Sequence, residues 1–362
     1  MVRLSKIQLL NFRNYISAEF MPGGEKNVLT GENAAGKTNL IEAIYLGLCG
    51  RSFRTTREEE VIYSGADKAI VRTAVLKGGL EIETTVKVGK NGKRLLINGK
   101  EESQRRFPGN QSILLFRPED LEMVSGNPGD RRKFFDRLFS GVINGYLQSF
   151  RKYHRSLDQR NTLLRSSNGP TSEYDTWTEA LVESGSDLCF LRLKAMAAVA
   201  PLVSSLYREM SGAKLYLRYL SSLGAGETRE HVKQRFYEKI SLLAEREWHY
   251  KQTMAGPHRD DYAFIVRGKD LRTHGSRGEQ RTVVLALKFA EANMLRDKTG
   301  EQVIYLLDDV FSELDGDRRA ALLETISYGQ SFLTTVEPAG IEGERCFRIQ
   351  SGVIKEVNGG LT

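Results

Sequence analysis

The chain has 362 residues, 40% of them hydrophobic and 27% charged, and carries a formal net charge of +7. That balance excludes a disordered or fibrous chain and leaves room for two packed units. No run of about 18 apolar residues stands out and the N-terminus alternates like a strand, so neither a membrane span nor export is expected, and a cytoplasmic location is. Cys49, Cys189 and Cys346 lie far apart without CxxC spacing, so we expect reduced thiols and neither a disulfide nor a zinc site. The positive charge suits a polyanionic partner but does not prove one. It bunches at Arg51, Arg54 and Arg57, at Lys87, Lys90, Lys93, Arg94, Lys100, Arg105 and Arg106, and at Arg131, Arg132 and Lys133.

From Leu4 to about Lys100 the chain reads as short alternating runs, with Asn-Gly pairs at 91–92 and 98–99 marking tight turns around "KRLLI". This predicts an antiparallel portion. One helix interrupts it near Lys37, after the short strand "KNVLT", with Leu40, Ile44 and Leu48 on one face. Beyond the break "GNPGD" the periodicity becomes helical. Tyr146, Phe150, Tyr153, Leu157 and Leu164 form one stripe, and Trp177, Leu181, Leu188, Leu191, Ala195, Ala198 and Leu202 another. Two long helices joined by "SSNGPTS" therefore form a hairpin, with Pro201 expected to kink or end the second. A third helix, "REHVKQRFYEKISLLAERE", leads to "GPHRDD", where His258 is read as part of a turn and cap. Then follow an apolar helix, the strand "QVIYLLDD", a helix around 316–327, the strand "QSFLTT" and a final pair, "CFRIQSGVIKEV". Alternating strand and helix imply parallel sheet. We expect an α/β head in two halves, 1–125 and 256–362, with a mixed sheet and an inserted α-helical arm over 126–255.

"GENAAGKT" (31–38) fits G-x-x-x-x-G-K-[ST] between a strand and a helix. Gly31 and Gly36 allow a backbone that turns N–H groups inward, and the helix N-terminus adds its dipole. The expected ATP-binding residues are Gly31, Glu32, Asn33, Ala34, Ala35, Gly36, Lys37, Thr38 and Asn39. Lys37 would meet the β and γ phosphates, and Thr38 would ligate Mg2+. The buried-type strand "VIYLL" ends in Asp308, placed to hold the metal directly or through water, and Asp309, placed as general base or water-orienting group. The plainer reading is two aspartates capping a strand or the next helix.

"SRGEQ" (276–280) opens a core-facing helix near Glu279, with Val283, Leu287, Ala290 and Met294 on one side, and so offers a second anion-receptive helix start. Ser276, Arg277, Gly278, Glu279 and Gln280 resemble the signature motif of ABC-type ATPases, "LLDD" their metal-binding strand, and "SELD", with Ser312 and Asp315, their D-loop. "NFRNY", "FRPEDL", "RRKFFD", "LDQRNTLL" and "GPHRDD" further resemble the RecF family of bacterial recombination mediators, over essentially the whole chain.

The resemblance implies that Ser276 and Gly278 touch the γ phosphate held by a partner copy, so that two ATPs are sandwiched in a homodimer. It implies a weak, DNA-stimulated ATPase acting as a switch, with Lys37, Asp308, Asp309 and Ser276 as its chemical residues. It also implies binding of double-stranded and gapped DNA or junctions, cooperation with RecO and RecR, and RecA loading in gap repair and the SOS response. Arg13 and Asn14 resemble head residues near the nucleotide, although a polar loop pair reads as well. Three departures stand out. Asp309 replaces the usual glutamate and is one methylene shorter, which predicts slow hydrolysis. No histidine follows "QSFLTT", leaving Thr334 or Thr335 to stand in by hydrogen bonding. No clear Q-loop glutamine appears in "LLFRPEDL". The alternatives are a transporter's ABC ATPase subunit and an SMC-like DNA-processing head; the size of the helical insert and the scattered histidines speak against them.

Overall fold

The computed structural model describes residues 2–90, 92–107, 113–167, 169–224, 228–336 and 345–357. Asn91 and Asn168, in two of the turns expected above, lie outside them. In chain order the elements are β1 (Val2–Phe12), β2 (Tyr15–Phe20), β3 (Lys26–Thr30), α1 (Lys37–Cys49), β4 (Lys68–Lys77), β5 (Leu80–Gly89), β6 (Gly92–Ile97), β7 (Lys100–Glu101) and β8 (Ile113–Phe116). Next come α2 (Pro118–Leu121), α3 (Pro128–Val142), α4 (Tyr146–Ser166), α5 (Ser172–Ser211), β9 (Leu215–Leu220), α6 (Arg229–Tyr250), β10 (Asp261–Val266), β11 (Lys269–Asp270), α7 (Leu271–His274) and α8 (Arg277–Thr299). The last are β12 (Ile304–Leu307), α9 (Gly316–Ile326), β13 (Ser331–Thr335), β14 (Arg345–Gln350) and β15 (Val353–Val357). The chain forms two compact units, one of Met1–Asp120 with Glu291–Thr362, the other of Leu121–Ala290. Both divisions differ from the expected boundaries at 125/126 and 255/256. The later one differs more, because β10 pairs with β9 and "GPHRDD" is bonded to α5 and β9, which keeps the chain in the second unit well beyond residue 256.

The first unit is mixed α/β. One sheet runs β2-β1-β4-β5-β6-β7 and is antiparallel throughout. The other runs β15-β14-β3-β13-β12-β8 and is parallel except for the terminal β14–β15 hairpin. The periodicity of α1 gives it apolar residues on more than one side, and the helix contacts β1, β4 and β5 of the first sheet and β12 and β13 of the second. Leu40, Ile41, Ile44 and Leu48 thus share a core with Ile7, Leu9, Val71 and Val86 on one side and Leu29, Leu306 and Phe332 on the other. Burying such side chains contributes roughly 1.5–3 kcal/mol each, so the helix that starts at the phosphate loop is held firmly.

In the second unit α4 and α5 pair as the expected hairpin. Tyr146, Tyr153, Leu157 and Leu164 are buried as the stripe predicts, but Ala198 is exposed. A seven-residue step drifts relative to a straight helix, and the buried face of α5 passes instead through Met196, Val199 and Val203. Pro201 does not end α5, which continues to Ser211. The expectation of no membrane-length apolar segment also needs correction: within α5 a stretch is long and apolar enough to cross a bilayer by length and composition. The helix packs against α4, α6 and β9 and carries buried Arg192. Arg192 pairs with Asp136 at 2.8 Å and Asp260 at 3.3 Å. Arg160, also buried, meets Glu247 at 2.6 Å and Thr253 at 2.7 Å. A buried guanidinium persists only where its donors are met in this way. His258 bridges Tyr153 (2.5 Å) and the Thr253 carbonyl (3.0 Å), so it holds a turn, as expected.

Candidate nucleotide site

The site of the first unit grows from the loop between β3 and α1. Gly31 takes φ 148° and Gly36 φ 116°, both positive, and Ala34 adopts φ 65°. A Cβ at Gly31 would stand 2.4 Å from the Ile349 carbonyl, and one at Gly36 2.6 Å from Asn14 Nδ2, so both glycines are required for space as well as for rotation. Helix α1 begins at Gly36 with no side-chain cap. Gly36 offers no side chain to accept from the first N–H groups, which is the arrangement that receives an anion. Asn14 Nδ2 donates to the Ala35 carbonyl (3.1 Å), its Oδ1 accepts from Asn39 (2.9 Å), and Tyr15 donates to the Gly36 carbonyl (2.8 Å). These bonds fix the loop in its cradle shape.

Lys37 lies within the cradle and donates to the carbonyls of Gly31 (2.6 Å) and Glu32 (2.9 Å). Burial lowers its pKa, and the charges of Asp309 and Asp308 oppose that shift. Thr38 donates to Asp308 Oδ1 at 2.8 Å, bringing together the two oxygen ligands expected for magnesium from opposite ends of the chain. Strand order explains this: β3 and β12 flank β13, so the loops at their carboxyl ends converge. Asp308 is itself buried, which raises its pKa, while hydrogen bonds from Thr38 and Thr334 partly offset the rise. A hard divalent cation suits this all-oxygen set, and a backbone cradle with a lysine suits a triphosphate.

Thr334 has a role that the sequence located only to within two residues. Its hydroxyl accepts from the Asp309 N–H (2.7 Å) and donates to Asp308 Oδ1 (3.0 Å), so one buried group holds the Asp308 carboxylate and the Asp309 backbone together. Asp309 needs such support because its φ of 52° is unusual for a non-glycine residue. Ser312 donates to the Asp309 carbonyl at 2.9 Å, and Asp315 caps α9 by accepting from the Arg318 N–H.

Arg13 forms two bonds to Glu42, at 2.9 and 2.8 Å, and also donates to the Glu60 carbonyl. It braces α1 from behind, whereas Asn14 supports the loop directly. Glu42, fully buried, also accepts from Ser52 (2.5 Å) and Arg54 (3.3 Å), and Arg54 reaches Asn39 at 2.7 Å. This cluster was missed in the sequence; its one signal was a glutamate amid apolar positions of α1.

Ser276–Gln280 belong to the second unit, at the start of α8. Here Ser276 and Glu279 form a capping box: Ser276 Oγ accepts from the Glu279 N–H (3.2 Å), while Glu279 accepts from the Ser276 N–H and hydroxyl, both at 2.9 Å. Those bonds from the Ser276 backbone and side chain lower the Glu279 pKa. Gln280 ties the helix to the Leu271 carbonyl at 2.8 Å, and Ser276 and Arg277 are exposed.

A phosphate cradle joined to a threonine–aspartate pair within two sheets defines an ATPase head of the ABC and SMC type. The family model described as RecF/RecN/SMC N terminal domain matches residues 3–342. The chain belongs to the RecF family. The DNA replication and repair protein RecF of Pelotomaculum thermopropionicum is 40% identical over 342 residues, spanning 91% of this chain and 93% of its own. That of Symbiobacterium thermophilum is 38% identical over 379 residues, spanning 99% and 100%. A solved structure of the recombination mediator protein RecF-ATPrS in the RecFOR pathway superposes with TM-score 0.91 at 30% identity, over 98% of both chains. An Smc head domain from Pyrococcus furiosus, TM-score 0.57 at 16% identity, shares the fold over 99% of this chain and 96% of its own.

Proposed function

We propose that this chain is an ATP-switched DNA-binding protein of replication and recombinational repair, in which nucleotide holds two copies together and slow hydrolysis lets them part. The observation that carries the reading is the convergence of Lys37, Thr38, Asp308, Thr334 and Asp309 around one backbone cradle. Lys37 and the N-terminus of α1 bind the phosphates; Thr38 and Asp308 hold the magnesium. When bound, magnesium-ATP supplies the transferable phosphoryl group. Asp309 orients the attacking water, and its short side chain holds that water loosely, which keeps hydrolysis slow. Ser276 and Gly278 of a second copy complete the γ-phosphate contact, in a symmetric pair. Closing the pair joins two basic surfaces that hold duplex DNA through its phosphates, without reading sequence.

Kinship with proteins named for DNA replication and repair, and with a structure placed in the RecFOR pathway, supports DNA as target and RecO and RecR as partners; gapped DNA or junctions are what the family resemblance implies. A ligand shifts a conformational equilibrium only through differential affinity, so ATP must change DNA binding. Filter binding with and without ATP tests this. Tighter DNA binding in ATP, lost in Lys37→Ala, is expected; affinity indifferent to both rejects the switch.

A further inference from the structure

The antiparallel sheet of the first unit buries one face on α1 and leaves the other to solvent. On the solvent face β4 presents Lys68, Ile70 and Arg72, β5 presents Lys87 and β6 presents Arg94. The register sets Lys87 directly opposite Arg94, and Ile70 opposite Lys87. Like charges facing each other across strands are destabilising, by up to roughly 1 kcal/mol. Other cations of this unit are neutralised: Lys6, on the same face, by Glu19 (3.0 Å), Lys77 by Glu301 (3.2 Å), Lys90 by Asp67 (2.9 Å) and Lys93 by Glu58. Among the described residues no carboxylate forms a salt bridge with Lys68, Arg72 or Lys87, and Arg94 approaches Glu101 only to 3.8 Å.

Glu81 and Glu83 lie on the same face toward the Gly78–Gly79 turn, and Glu19 of β2 and Glu101 of β7 lie at its two lateral edges, while Lys68, Arg72 and Lys87 occupy its two central strands. A shallow depression of about 270 Å³ runs from Lys87 and Arg94 past Leu96 to Gly99 and Glu101. The strand positions of this face carry no aromatic side chain on which an unpaired base could stack, as single-strand platforms require. Its unpaired cations stand without base-stacking groups beside them.

We propose that this face, through Lys68, Arg72, Lys87 and Arg94, is the first unit's contact with the phosphates of duplex DNA. The assignment rests on the DNA-binding reading above and says where on this unit that binding occurs. Cross-strand neighbours stand about 5 Å apart and diagonal ones about 7–8 Å, close enough for successive cations to follow one phosphate strand. Each such contact releases counterions and adds about 0.9 to the salt slope of binding.

The test compares wild type with Lys68→Ala/Arg72→Ala/Lys87→Ala and with a control, Lys77→Ala/Lys90→Ala/Lys93→Ala, which removes the same charge from paired positions. Binding to duplex DNA in ATP is measured across a salt series, with ATP affinity and thermal melting checking the fold; Lys87→Ala alone serves if the triple variant misfolds. The first triple variant should bind duplex about tenfold or more weakly and lose roughly one unit of slope per cation, while the control stays near wild type. Duplex binding equal to the control, or loss of binding to polyglutamate with duplex binding intact, overturns the assignment. Wild type that binds no DNA in ATP removes the underlying reading instead.

Discussion

Replacing Thr334 by valine keeps its shape and deletes one hydroxyl. The residue is buried, so the Asp309 N–H that it accepts at 2.7 Å gains no water in exchange, and Asp308 Oδ1 retains only the Thr38 donor at 2.8 Å. Leaving a buried amide unsatisfied costs about 1–3 kcal/mol, and it falls where Asp309 already sits at φ 52°. A displacement worth about 2 kcal/mol at Asp309, the carboxylate proposed to orient the water, corresponds to about thirtyfold in rate, since 1.36 kcal/mol is tenfold. The loop carbonyls, Lys37 and the α1 N-terminus are untouched, so nucleotide binding should change little. Single-turnover ATP hydrolysis should therefore fall about thirtyfold, while equilibrium binding of a fluorescent ATP analogue moves less than about threefold, and Thr334→Ser should restore the rate. Hydrolysis at the wild-type rate, or affinity falling in step with it, would refute the coupling of both acids through one hydroxyl.

Burial drives the His258 pKa down to about 4, from an unfolded value near 6.5. A depressed histidine binds its proton more weakly when folded, so the stability it affects is intact above about pH 6.5 and is lost as pH falls toward 4, by up to about 3 kcal/mol. Denaturant midpoints between pH 7 and 4.5 should fall steeply in wild type and more gently in His258→Gln; parallel profiles would exclude His258 as the source. Glu279→Ala removes the capping-box carboxylate from α8, which costs about 1 kcal/mol. Its melting temperature should drop by a few degrees, and an unchanged value would contradict the capping geometry.

Most of the candidate site's geometry was legible because such a cradle is built from backbone, and the glycine spacing that shapes a backbone is written locally. Gly31, Gly36, Lys37 and Thr38 needed only the strand before and the helix after them. Asp308 was legible for a similar reason, as the polar end of an apolar strand. Glu42 was not, since its partners Arg13, Ser52 and Arg54 come from separate loops and no periodicity links them. Thr334 was half legible: a hydroxyl at the end of β13 could be foreseen, but which of two adjacent threonines faced the acids depended on the pleat. The later boundary between units was misplaced because β10 pairs back with β9, a long-range contact that a change of texture at "GPHRDD" conceals. In the basic cluster at 131–133, Arg131 turned out to be an internal brace, paired with Asp261 at 2.6 Å.

The account depends on Ser276 of one copy completing the γ-phosphate site of another. Molar mass in solution, measured with ATP, tests it most directly when wild type is set beside Ser276→Arg, which places a bulky cation at the helix start. Wild type should have the mass of two chains in ATP and of one in ADP, and Ser276→Arg that of one chain in both. A variant that still doubles its mass in ATP would contradict the claim that this serine closes the pair.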